Sequence, residues 1–214
     1  HHGVPIIASI AGRTVHEYRQ VAEKLRGLEG IVAIEANISS PNADAGGGLF
    51  AAHPATAAEV VSTIMRVATV PVFAKLTPDV TDIVPIAHAA AEAGASGVSL
   101  INTVLGMAID VETRQPKLAA GMGGLSGPAI KPIAIRAVHQ IHSVMPDLPI
   151  IGMGGAATVE DVVEFMLAGA SAVAIGTATF ANPMASMEIV DGLPSWLAER
   201  GIRHARSLIG GVRI

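Results

Sequence analysis

Five places in the sequence set chemically capable groups at the end of an apolar run. IVAIEA runs into NISSPN (37–42), which carries Asn37, Ser39, Ser40 and Asn42. FAKLT sets Lys75 between Phe73, Ala74 and Leu76, and LINT delivers Asn102 and Thr103. Two glycine ends, GMGG and GTAT, supply Gly154-Gly155 and Gly176-Thr177. An ammonium among apolar neighbours is costly unless an anion or an electron-rich ligand compensates it; a carboxylate such as Glu35 is the alternative partner. Asn37 and Asn102 suit either a substrate rich in C=O and N–H groups or the tying of loop backbone. Backbone N–H groups of a Gly-rich turn before a helix form an anion cradle without any charged side chain. Either glycine pair alone reads equally well as a tight turn, but at consecutive strand ends the two together favour phosphate.

These groups need a scaffold that gathers strand ends. Six apolar runs alternate with helical patterns: 4–10, 30–39, 70–77, 96–103, 148–155 and 171–178. They begin in strict alternation with Val-Pro or Leu-Pro, or after a helix-ending glycine, a two-unit repeat. Amphipathic helices are expected over Val15–Leu28, Pro54–Ala68, Asp82–Ala93, Lys131–Val144 and Val159–Ala168. Pro54 suits a first helical turn, and Thr158 with Asp161 reads as a capping box. Strands apolar on both faces and separated by single helices mean right-handed βαβ units and a parallel sheet. The fold class is therefore α/β, a (β/α)8 TIM barrel of which the last six βα units are visible. With no linker rich in Pro, Ser or charge, residues 1–214 read as a single, incomplete barrel domain whose N-terminal part is absent. GMGG and GTAT then fall on the strand 7 and 8 loops, the usual barrel phosphate site.

Composition narrows the function. Half of the 214 residues are hydrophobic and 15% are charged, which excludes disorder. A net charge of -4 offers no basic surface for nucleic acid, and no apolar run is long enough to span a membrane. There is no cysteine, so disulfides, thiolate zinc and cysteine-ligated clusters are excluded for this chain, and the cytoplasm is the default compartment. His53, His88, His139 and His204 lack ligand spacing, so no metal site is read. Glu112, Arg114 and Lys117 read as a solvated hairpin, and the tail from Trp196 as a final helix on the barrel. A phosphate grip, a lysine opposite and amides across the mouth describe a flavin mononucleotide (FMN) site, the lysine stabilising negative charge on the reduced ring.

NISSPN (37–42), FAKLTPDVTDI (73–83), SLINTVLGMAIDVETRQPKLAAGMGGLSGPAIKP (99–132), PIIGMGG (149–155) and AVAIGTA (172–178) resemble the dihydroorotate dehydrogenases. The similarity runs from about Val4 to the C-terminus, and the block from INTVLGMAID to GGLSGPAIKP is similar to the NAD-linked bacterial type. The resemblance implies FMN-dependent oxidation of dihydroorotate to orotate in pyrimidine biosynthesis. It also implies a homodimer and a partner subunit carrying FAD and an iron–sulfur cluster. Position by position, Asn37 contacts flavin and substrate, Lys75 contacts the flavin, and Ile101 and Gly127 line it. Gly154, Gly155, Gly176 and Thr177 take the phosphate, while Asn42, Asn102 and Thr103 hold the substrate. Ser40 takes the base position, removing the C5 proton while C6 gives hydride to flavin N5.

Two departures stand out. Ser40 occupies a position that is Cys in the NAD-linked type and Ser in the quinone-linked type, so it is either natural or a Cys→Ser replacement. A hydroxyl there is a weaker base than a thiolate and needs a proton relay. The family's first two strands have no counterpart, and Ser9 stands where an asparagine is frequent. Gly46, Gly47 and Gly48 suggest a lid that opens and closes over the substrate. A dihydropyrimidine dehydrogenase-like oxidoreductase and a non-catalytic barrel binding a phosphorylated ligand are the competing readings. Reduction of bound flavin by dihydroorotate but not by dihydrouracil separates the three.

Overall fold

A computed structural model describes residues 3–39 and 50–213. Among these, β1 (Ile6–Ile10), β2 (Ile31–Asn37), β3 (Val72–Lys75) and β4 (Gly97–Leu100) form consecutive parallel strands. Four short strands follow: β5 (Val104–Gly106), β6 (Ile109–Asp110), β7 (Gln115–Pro116) and β8 (Gly123–Leu125). The main sheet resumes with β9 (Ile150–Met153) and β10 (Ala172–Ala174), giving the order β1-β2-β3-β4-β9-β10. Each expected run contains one of these six strands. The order never doubles back, so every crossover turns the same way and the helices share one side of a curling sheet. The result is six of the eight strands of a (β/α)8 barrel, with β1 and β10 as the edges among the described residues.

The connecting helices are α1 (Val15–Lys24), α2 (Pro54–Met65), α3 (Val84–Glu92), α4 (Lys131–Val144) and α5 (Val159–Ala168). Each packs on the next around the outside, and α5 meets α7 (Ala185–Glu199), which follows the short α6 (Ala178–Ala181). Strand side chains alternate between the two faces. In β3, Val72 and Ala74 are fully buried toward the helices, whereas Phe73 and Lys75 are half-buried. Ile150 and Gly152 in β9 alternate with Ile151 and Met153 in the same way. Gly97 makes room for the Phe73 ring, since a Cβ at 97 would stand 2.6 Å from it.

Several boundaries differ from the sequence expectation. α1 stops at Lys24 instead of Leu28, because Gly27 takes a φ of +72° and breaks the helical path. α3 begins at Val84 because the Asp82 carboxylate accepts the Val84 N–H at 3.0 Å and caps the helix from outside. The final helix starts well before Trp196 and ends at Glu199, not along the whole tail. Gly201, at φ +66°, lets its own N–H reach Ala198 O and the Ile202 N–H reach Leu197 O, closing that helix. The Thr158–Asp161 capping box forms as expected. The expected hairpin is present in β6 and β7, where Asp110 accepts the Thr113 and Glu112 N–H groups and is held below its ordinary carboxylate value by them.

Candidate active site

A cleft of about 330 Å³ opens at the C-terminal ends of the strands. Lys75, Ile101, Asn102, Thr103, Gly127, Gly154, Gly155, Gly176 and Thr177 all line it, together with Glu35 and Ser126. The sheet therefore brings together residues drawn from five strand ends. Asn37 stands beside the cleft and joins it through Asn102. Ser40, Asn42, Gly46, Gly47 and Gly48 lie outside the described residues.

The amides form one hydrogen-bonded group. Asn102 Nδ2 donates to Ser39 Oγ at 2.9 Å, to Ser39 O at 3.2 Å and to Asn37 Oδ1 at 3.5 Å. Ser39 Oγ donates to Asn37 Oδ1 at 3.0 Å, and Asn102 Oδ1 accepts the Thr103 N–H at 2.8 Å. Behind them Tyr18, fully buried in α1, donates its hydroxyl to Asn37 O at 2.7 Å. Burial pushes the Tyr18 hydroxyl above its ordinary pKa. The Tyr18 ring meets Phe50 edge-on at 5.7 Å, and the Ala51 N–H donates to Ile38 O at 3.0 Å. Asp79 accepts the Leu105 N–H at 3.1 Å and so ties the loop after β3 to the chain leaving Thr103.

Lys75 finds the carboxylate partner named as the alternative and also lines the cleft. Its Nζ lies 3.5 Å from Glu35 Oε1, and the two side chains share the floor of the cleft. Ser9 Oγ donates to Glu35 Oε1 at 3.0 Å, and Ser99 Oγ to Glu35 Oε2 at 2.8 Å. Sequence reasoning names Glu35 only as a possible partner and misses Ser99. The signal was present as a lone carboxylate inside an otherwise apolar strand, but the serines become visible only through strand register.

On the opposite wall three glycines meet. Gly154 and Gly155 have φ of +121° and +87°, and a Cβ on Gly155 would stand 2.6 Å from Gly127 O. Gly127, also at φ +87°, and Gly176 would each place a Cβ in open space. Behind this wall Lys131 Nζ lies 2.6 Å from both Asp161 Oδ1 and Glu164 Oε2. The other Asp161 oxygen accepts the Ala157 and Thr158 N–H groups at 2.8 and 3.0 Å. Burial pushes the Asp161 carboxyl up, but the Lys131 ammonium and these N–H groups outweigh it and hold it below the ordinary value. The Asp161 hydrogen bond, and then that to Glu164, hold Lys131 above the ordinary lysine value.

The family model for dihydroorotate dehydrogenase matches residues 1–197. The catalytic subunit of dihydroorotate dehydrogenase B (NAD(+)) from Halalkalibacterium halodurans is 50% identical over 208 residues, covering 97% of this chain and 68% of that protein. The corresponding subunit from Alkaliphilus oremlandii is 53% identical over 205 residues, covering 96% of this chain and 67% of its own length. Among solved structures, the dihydroorotate dehydrogenase of Eimeria tenella in complex with ferulenol superposes with a TM-score of 0.75 at 23% identity. That superposition covers 92% of this chain and 57% of the other, and supports the fold. The chain spans about two thirds of the length of the curated relatives it matches. On the family model and these identities, the chain belongs to the dihydroorotate dehydrogenase family.

Proposed function

We propose that the chain oxidises dihydroorotate to orotate in pyrimidine biosynthesis, as the catalytic subunit of an enzyme of the NAD(+)-linked type, with FMN held in the cleft. The observation that carries the reading is the gathering of Lys75, the Asn102-Thr103 pair and the glycine wall around one opening. These residues fit FMN. Positive φ at Gly127, Gly154 and Gly155 exposes backbone where a side chain would be strained, and Gly127 and Gly176 leave space where a Cβ would stand. Gly154, Gly155, Gly176 and Thr177 would hold the phosphate, Ile101 and Gly127 would line the ring, and Asn37 and Lys75 would contact its polar edge.

Bound there, FMN supplies the hydride acceptor. The chain supplies placement and proton handling. Asn37, Asn102, Thr103 and Asn42 hold the C=O and N–H groups of dihydroorotate. Ser40 would take the proton from C5 while passing its own hydroxyl proton to a water or neighbouring group, as C6 gives up hydride to the bound cofactor. The Lys75 ammonium offsets the negative charge that two-electron reduction leaves in the cleft. This one barrel domain pairs with a second copy in the cytoplasm. It passes electrons to a partner subunit carrying FAD and an iron–sulfur cluster, a reading supported by the naming of its relatives as catalytic subunits of an NAD(+)-linked enzyme. No described helix is long and apolar enough to cross a membrane.

The test is spectroscopic. The purified protein carries flavin absorbance that bleaches anaerobically with dihydroorotate and not with dihydrouracil. Bleaching by dihydrouracil alone would move the assignment to a pyrimidine-reducing relative, and failure to take up FMN would end the oxidoreductase reading.

A further inference from the structure

We infer that Glu35 is a positioning residue for Lys75, fixing its ammonium at the cleft floor and moderating the positive charge there. The inference rests on the FMN reading above and deepens it. The register of four strands builds the arrangement. Ser9 of β1 is opposite Glu35, Glu35 is opposite Phe73, and Lys75 is opposite both Asn37 and Ser99. Glu35 thus lies one inward-facing layer below Lys75 and reaches it on the diagonal.

Two features set this apart from an incidental ion pair. Glu35 is only 8% exposed, and each carboxylate oxygen accepts a serine hydroxyl, one of them from the fully buried Ser99. A carboxylate held on two sides cannot swing away as an exposed glutamate does, so its distance to the ammonium is set by the barrel. Glu35 is also the ion-pair partner of Lys75 among the described residues, and both line the cleft. A bare ammonium would favour an anionic occupant strongly, whereas one shared with a fixed carboxylate favours it less. Glu35 thereby limits how far Lys75 stabilises the reduced cofactor over the oxidised one.

The experiment is an equilibrium titration of the FMN-loaded protein against a redox dye, comparing wild type, Glu35→Gln, Lys75→Met and the double variant. Glu35→Gln is expected to strengthen binding of reduced over oxidised FMN about tenfold, raising the two-electron potential by about 30 mV. Lys75→Met shifts it the other way, and adding Glu35→Gln to Lys75→Met shifts it clearly less than Glu35→Gln does in the wild type. Glu35→Asp keeps the charge but draws it back by one methylene, and raises the potential by a smaller amount; it decides the question if Glu35→Gln does not fold. An unchanged potential in these Glu35 variants overturns the inference. So does an equal shift in the Lys75→Met background, which would make Glu35 a direct charge and not a residue acting through Lys75. Wild-type protein that takes up no FMN overturns the functional reading instead, so the two failures are distinct.

Discussion

The Asn102 amide donates to the Ser39 hydroxyl at 2.9 Å and to the Ser39 carbonyl at 3.2 Å, joining the ends of β2 and β4 across β3. One side chain thus serves as a clasp between strands and, in the proposed function, as part of the surface that meets the substrate. Asn102→Ala should remove both roles. The expected stability cost is about 1–2 kcal/mol, from unpaired polar groups at Ser39 and Asn37. In kinetics, kcat/KM for dihydroorotate should fall by roughly two orders of magnitude while FMN stays bound, as measured by steady-state assay beside flavin absorbance.

Gly155→Ala tests the glycine wall. The substitution meets a φ of +87° and a Cβ position 2.6 Å from the Gly127 carbonyl, which is backbone and cannot rotate aside. Strain and displacement together should cost about 2–3 kcal/mol. The protein should be purified largely free of flavin, and fluorescence titration with FMN should show weakened binding.

Asp161 acts on the same wall from behind. Because its folded pKa lies below the unfolded value of about 3.9, its contribution is fully present above that pH and is lost as pH falls through the folded value. Lys131, raised in the fold, contributes below its unfolded value of about 10.4 and loses this as pH rises through the folded one. Asp161→Asn should therefore cost about 1–2 kcal/mol at neutral pH. Thermal melts of variant and wild type should converge as the solution is taken below pH 4. A gap that persists in acid would mean that the amide fails for a reason other than charge.

Ser40 gives the most direct kinetic test. Ser40→Ala should retain FMN and lose turnover by about 10²–10⁴, the usual worth of a positioned base. Ser40→Cys should raise turnover in mild alkali, with the ascending limb of the pH profile moving toward the ordinary thiol value of about 8.5. Stopped-flow reduction by dihydroorotate across pH reads both.

The sequence disclosed the barrel because its strands are apolar at successive positions, which gives unbroken apolar runs such as VPIIASI and LPIIGMGG. It disclosed most of the cleft because a charge or amide at the end of such a run must find a polar partner, as Lys75 does in Glu35 and Asn102 in Ser39. What it hid depends on contacts between strands. Ser99 is an ordinary serine in SGVSL until the register sets it against Lys75 and its hydroxyl meets Glu35. Asp161 reads as half of a capping box, and its second oxygen finds Lys131 thirty residues back only in three dimensions. The strands β5 to β8 span two or three residues each, too short for periodicity to register. The end of α7 turned on Gly201, one glycine among 23 in the sequence.

Tyr18 holds the Asn37 carbonyl and packs on Phe50, while Ala51 bonds to Ile38. The chain on either side of residues 40–49 is thereby knotted at a single place on the barrel rim. For any segment spliced between two such fixed points, the entropic penalty rises only by about 0.6 kcal/mol for each doubling of its length. The barrel can therefore accept a different insert here without being rebuilt. On the proposed assignment, the base residue would travel on that interchangeable piece. Exchange of that one segment would bring a serine of the quinone-linked pattern into a body like the NAD-linked type, and loop-swap experiments test whether the barrel accepts it.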